Sequence, residues 1–235
     1  MQQHKANIQT SSNIVIKRLN GIDVSHHNKE INWDLVFSQT EIPISFVWLK
    51  ATEGRTFISP TLKKNWQSCI ENPKITLGVY HFFKSAINPI TQAQHFCQQI
   101  EKLKFEDNKH HYSLDLEDNS GKKTPKELGD SILAFLDIVK QKFPKAKPYI
   151  YTSTNFCQEN LKNYGEHIFK DTKLWIARYY NNTTSVIQQH QQPYDSKIGL
   201  PRGFKNWDIW QYTECGRIQG ITSTVDLNIR QVTST

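Results

Sequence analysis

From residue 19 onward, short apolar runs of strand type alternate with amphipathic helical stretches, and this order constrains the fold more than any other feature of the chain. The runs lie at 19–24, 44–51, 75–83, 111–116, 148–152, 174–179 and 207–212. Strand, crossover helix and strand in that sequence imply parallel pairing, with the helices packed outside the sheet. The chain has 235 residues, a length at which one α/β barrel buries a substantial core. A single domain over 19–235 is therefore expected, preceded by a flexible polar lead-in at 1–18 that lacks a signal-peptide apolar stretch.

The helices between the early strands carry start signals. Ser59-Pro60, Asn88-Pro89 and Thr124-Pro125 each place a capping side chain before a proline suited to a first helical turn, and Thr124 with Glu127 makes a capping box. Leu128, Ile132, Leu133, Phe135, Leu136 and Val139 form one apolar stripe; Ile90, Ala93, Phe96, Cys97, Ile100 and Leu103 form another. Both stripes are expected to face the sheet. Beyond about residue 180 the helical pattern fades: 181–205 reads as a long polar loop, and 217–230 as a closing hairpin. The expected architecture is a barrel with a regular first half and an irregular, helix-poor second half.

Composition narrows the partners. The net charge of +7 favours polyanions, but no dense Lys/Arg block or nucleic-acid motif accompanies it, so no nucleic acid is expected. No apolar run approaches the ~18 residues of a membrane span, so no membrane insertion is expected. Cys69, Cys97, Cys157 and Cys215 form no CxxC pair and read as buried free thiols, with a Cys69–Cys97 disulfide as the alternative. His26-His27 and His110-His111, read as strand neighbours, would face opposite sides, and no HExxH or HxH accompanies them. No metal and no cofactor are expected.

In barrels of parallel strands the chemistry sits at the carboxyl ends of the strands. Four acids stand out there: Asp23 in GIDVS, Asp115 and Glu117 in YSLDLED, and Asp226 in TVDLN. Asp115 and Glu117 are two apart, so on a strand they share a face with backbones roughly 6.5–7 Å apart. Like charges that close raise at least one pKa, as a general acid working near neutral pH requires. The alternative is that such acids cap a helix or pair with a lysine. Lys50 and Glu53 are open in the same way, between a rim ion pair and a role beside the acids.

The motifs GIDVSHHN (21–28), FVWLKATEG (46–54), GVYHFF (78–83), LDLED (114–118), YIYTS (149–153), WIARY (175–179) and DIWQYT (208–213) together resemble family 25 of the glycoside hydrolases, lysozymes that act as N-acetylmuramidases. The resemblance spans residues 19–230 with the motifs in order. It implies a distorted, TIM-like β/α barrel in which the first five strands are regularly followed by helices. It also implies cleavage of the β-1,4 bond from N-acetylmuramic acid to N-acetylglucosamine in peptidoglycan glycan strands. Glu117 matches the general acid, Asp115 its charged partner, and Asp23 and Asp226 the flanking acids. The family is retaining, and a partner on the same strand as the acid favours attack by the substrate's own 2-acetamido group over direct attack by Asp115.

Tyr80, Tyr151, Trp175, Tyr179, Trp210 and Tyr212, in the same motifs, are candidates to stack sugar rings. Strand alternation makes barrel core the competing reading for about half of them and for Trp48, and it sends Gln211 to the face opposite Trp210 and Tyr212. His81 reads as a hydrogen-bonded strand-end residue. The substrate implies a secreted or periplasmic protein, and a monomer is expected. Rival readings are a glycan-binding protein that has lost turnover, a hydrolase of chitin-like amino-sugar polymers, and a metal-dependent amidase of the peptide stems.

Overall fold

A computed structural model describes residues 15–179 and 199–234. In chain order its strands and α-helices are β1 (Val15–Val24), α1 (Trp33–Ser38), β2 (Ile44–Glu53), β3 (Phe57–Ile58), α2 (Leu62–Ile70), β4 (Thr76–Phe82), α3 (Pro89–Glu101), β5 (His111–Asp115), α4 (Pro125–Lys142), β6 (Pro148–Ser153), α5 (Thr154–Asn160), α6 (Gly165–Phe169), β7 (Lys173–Ala177), β8 (Ile209–Gly216) and β9 (Val225–Ser234). The strand order is β1-β9-β8-β7-β6-β5-β4-β2-β3, and an additional β1–β2 pairing closes eight of the strands into a barrel, with β3 folded back on β2. Pairing is parallel from β1 through β2 and β4 to β8; β9 runs antiparallel to both its neighbours. This is the distorted β/α barrel that the alternation predicts.

Two of the three expected helix starts form as read. Asn88 Oδ1 accepts from the Ile90 and Thr91 amides, and Thr124 and Glu127 complete a reciprocal capping box. Ser59-Pro60 does not open its helix. The Leu62 amide bonds back to the Ser59 carbonyl in a turn, and α2 starts after Thr61 without a side-chain cap. Leu128, Ile132, Phe135, Leu136 and Val139 of α4 are fully buried against the sheet and α3. Each such side chain contributes roughly 1.5–3 kcal/mol of burial. Ile90, assigned to the α3 stripe from its spacing, is exposed instead, because it sits in the first turn beside the cap.

The barrel interior is filled by aromatics. Phe46, Trp48, Tyr80, Tyr149, Trp175 and Ile209 form their own buried cluster, separate from the helix-facing core. The Trp48 ring lies 5.0 Å from Trp175 and 5.1 Å from Tyr149. Two glycines admit these rings: a Cβ at Gly21 would stand 2.2 Å from Phe46, and one at Gly78 would stand 2.5 Å from Trp48. The packed rings form a floor, and the polar strand ends stand on it.

Several boundaries differ from the sequence reading. β1 begins at Val15 and pairs with β9 from there, so the last four residues assigned to the lead-in belong to the barrel. The short helices α1, α5 and α6 carry too little periodicity to be read from spacing. The closing hairpin is β8–β9 and not 217–230, and of the residues between those strands only Ile221 makes a β-bridge, to Ile31. Much of the expected 181–205 loop lies outside the described residues. All four cysteines are free thiols, Cys215 exposed and the others buried, which sets aside the Cys69–Cys97 disulfide.

Candidate active site

Strand register sets the site. Asp23 of β1 pairs with Asp226 of β9, Asp115 of β5 with Phe82 and Tyr151, and Ala177 of β7 with Gln211 of β8. The side chains of Asp23, Asp115, Glu117 and Asp226 all line one cleft of about 320 Å³ at the carboxyl end of the parallel strands. β5 ends at Asp115, and the Leu116 amide still bonds the Tyr151 carbonyl, so the strand geometry carries on far enough to turn Glu117 into the same cleft.

Burial shifts all four carboxyls upward, and repulsion from neighbouring acids adds to it at Asp115, Glu117 and Asp226. Asp115 is almost wholly buried, and its pKa is raised well above the usual range by desolvation and then by the Glu117 charge, with Lys50 opposing. Glu117 opens onto the cleft, but the surrounding walls displace enough water that desolvation, with the Asp23 charge, raises it too. Asp115 and Glu117 therefore hold protons to higher pH than free carboxyls. Among the described residues, Asp115 Oδ1 is buried and has no hydrogen-bond partner.

Asp23 and Asp226 form a second pair of interacting carboxyls. Burial pushes Asp23 up to about 6, and burial with the Asp23 charge pushes Asp226 to about 9. Asp23 is the ionised member, because its Oδ2 accepts from Asn228 Nδ2 at 2.7 Å and from Gln211 Nε2 at 2.9 Å. Those amides are themselves held. Trp175 Nε1 donates to Asn228 Oδ1 at 2.7 Å, while the Tyr151 and Tyr179 hydroxyls donate to Gln211 Oε1 at 2.8 and 2.7 Å. One network thus fixes Asp23, the two amides and three aromatics.

Four of the six aromatics chosen from the motifs line the cleft: Tyr80, Tyr151, Trp175 and Tyr179. Trp210 and Tyr212 do not. They alternate with Gln211 along β8, so both rings pack into the buried core outside the barrel while Gln211 points in. Gln211 and Asn228 are the functional side chains missed. Gln211 was marked by its parity against Trp210, but its partners depend on barrel closure. Lys50 pairs with Glu53 at 2.7 Å, and it also lines the cleft beside the acids.

His81 bonds Thr52 Oγ1 at 2.7 Å and Gln92 at 3.2 Å and is buried on the helix side. His26 and His27 lie in a short 3-10 turn, not on a strand, and His27 faces the cleft. Among the described residues no group of three or more His, Cys, Asp or Glu is arranged to hold a metal.

Clustered carboxyls with raised pKa values beside the partly exposed rings of Tyr151 and Tyr179, at the carboxyl end of a β/α barrel, fit the acid machinery of a glycoside hydrolase. The sequence comparison makes the class specific. The chain belongs to glycosyl hydrolases family 25, whose profile matches residues 22–221. It is 30% identical over 213 residues to the uncharacterized protein YegX of Escherichia coli K12, covering 90% of this chain and 69% of that one. It is 27% identical over 214 residues to lysozyme M1 of Streptomyces globisporus, covering 88% and 66%. The crystal structure of a bacterial lysozyme from Streptomyces coelicolor superposes with a TM-score of 0.72 at 25% identity, over 89% of this chain and 90% of that one.

Proposed function

We propose that this chain is a peptidoglycan muramidase that hydrolyses the β-1,4 bond between N-acetylmuramic acid and N-acetylglucosamine. The observation that carries the reading is the Asp115–Glu117 pair: two carboxyls with raised pKa values lining one cleft, the inner one buried with an unpartnered oxygen and the outer one exposed. Family membership and relatives named lysozyme support the substrate class.

Glu117 stands at the open side of the cleft and delivers its proton to the departing glycosidic oxygen. Mutual repulsion leaves the Asp115–Glu117 pair with one proton, carried by Glu117 in the reactive form while Lys50 favours the charge on Asp115. As the substrate's 2-acetamido oxygen attacks the anomeric carbon and the glycosidic bond breaks, the Asp115 carboxylate accepts the acetamido N–H, orienting the group and balancing its developing charge. The Glu117 carboxylate then takes a proton from a water that opens the cyclic intermediate, so configuration is retained. Ionised Asp23, held by Gln211 and Asn228, adds negative potential beneath the positive sugar ring. The polymer lies outside the cytoplasm, so the protein works as a secreted or periplasmic enzyme.

Proton NMR of the first product tests the route. Retention is expected, together with a loss of at least a hundredfold on glycans whose 2-acetamido group is removed. Inversion, or equal rates on both glycans, would overturn it. Parallel digestion of chitin separates this reading from a general amino-sugar hydrolase.

A further inference from the structure

A second groove of about 390 Å³ opens beside the acidic cleft and shares Glu117, Tyr151 and Tyr179 with it. Its size falls within the range of ligand pockets, roughly 300–1,000 Å³. Its chemistry differs from the cleft. The cleft gathers Asp23, Asp115, Asp226 and Glu214, whereas among the described residues Glu117 is the only acidic residue lining the second groove, whose wall includes Arg178.

Arg178 directly follows β7, and its backbone is pinned on both sides. Its amide donates to the Gln211 carbonyl at 3.0 Å, and its carbonyl accepts from Trp210 Nε1 at 2.8 Å. The side chain is exposed, and among the described residues it has no carboxylate partner. A pinned backbone with an unspent guanidinium at the end of a substrate cleft suits a planar, bidentate anion such as a carboxylate.

We propose that Arg178 is a specificity residue that binds a carboxylate carried on the 3-position of the muramyl sugar, from the lactyl group itself or from the peptide attached to it. The proposal rests on the muramidase reading for the identity of the sugar. It adds the means by which the site tells that sugar from plain N-acetylglucosamine, which offers no carboxylate to Arg178. Seated this way, the muramyl substituent lies in the second groove and the scissile bond stays at Glu117.

The test uses the full chain, Arg178→Gln and Arg178→Lys on four glycans. These are stem-free strands with free lactyl carboxylates, the same strands with the lactyl groups converted to methylamides, strands bearing stem peptides, and chito-oligosaccharides. Binding of soluble fragments is followed by calorimetry alongside cleavage. Arg178→Gln is expected to lose about tenfold or more in kcat/KM, chiefly through KM, wherever the recognised carboxylate is present. The gap from wild type should collapse on the methylamide, and Arg178→Lys should recover part of the loss. Loss on stem-free strands assigns the lactyl carboxylate; loss only on stem-bearing strands assigns the peptide. An equal loss on carboxylate and methylamide, or no loss on any glycan, overturns the proposal. If wild type binds these fragments in an Arg178-dependent way but cuts none, the muramidase reading falls while the carboxylate site stands.

Discussion

Replacing Gln211 by Leu removes one amide N–H from the Asp23 carboxylate and the shared acceptor of Tyr151 and Tyr179, while keeping a similar volume. Asp23 titrates at about 6 because two donors, Asn228 and Gln211, oppose a large burial penalty. A hydrogen bond to a charged group contributes about 1.5–3 kcal/mol, and each pKa unit corresponds to about 1.4 kcal/mol, so losing one donor lifts Asp23 by roughly one to two units. At pH 7 the variant then holds Asp23 largely protonated where the wild type holds it largely ionised. The assay is kcat/KM for soluble glycan fragments against pH. The acidic limb is expected to move upward by about one unit or more, with activity recovering partly above pH 8. A folded variant, verified by near-ultraviolet circular dichroism, whose profile coincides with wild type would refute the claim that Gln211 sets the charge on Asp23.

Three further outcomes follow from the same network. Asp226→Asn should be more thermostable than wild type at pH 8–9: the Asp226 carboxyl, pushed up to about 9, keeps a proton in the folded chain that the unfolded chain releases near pH 4, so wild-type stability falls as pH rises from about 4 to about 9 and the deficit is largest at the top of that range. Melting curves should converge toward pH 3–4, where both states are protonated, and a variant less stable than wild type at pH 9 would contradict the assignment. Asn228→Leu strands the buried Trp175 Nε1 and takes a donor from Asp23, so urea titration should show a loss of about 2–4 kcal/mol. Tyr151→Ala should raise KM severalfold whereas Tyr212→Phe should leave it unchanged, since only the first ring borders the cleft; equal effects in steady-state kinetics would reopen the placement of Tyr212.

The barrel was legible because its determinants are local. The α3 and α4 stripes, the caps at Asn88 and Thr124, and the apolar runs each report on a few consecutive residues. Asp115 and Glu117 were legible as a pair for the same reason, since strand alternation alone puts them on one face. The Asp23–Asp226 pairing was not, because it exists only where β9 turns antiparallel and closes the sheet against β1. Asn228 carried no signal in the sequence, since its value lies in reaching Asp23 and Trp175 from a distant strand. Trp210 and Tyr212 were misplaced by chemistry outweighing parity: the residue types suit a sugar site, but the inward position on β8 belongs to Gln211. The edges of β8 shifted because Asp208 turns back onto Leu174, its amide bonding the Leu174 carbonyl at 2.8 Å before the strand begins.

The most direct test of the central claim is the release of new reducing ends from purified peptidoglycan by wild type and by Glu117→Gln, with mass spectrometry to identify the reducing sugar. Glutamine keeps the shape of the side chain, but its amide N–H is far too weak an acid to protonate the leaving oxygen. Fragments ending in N-acetylmuramic acid from wild type, and a rate lower by about 10²–10⁴ in the variant, are the predicted result. Fragments ending in N-acetylglucosamine, or a Glu117→Gln variant that cuts as fast as wild type, would contradict it.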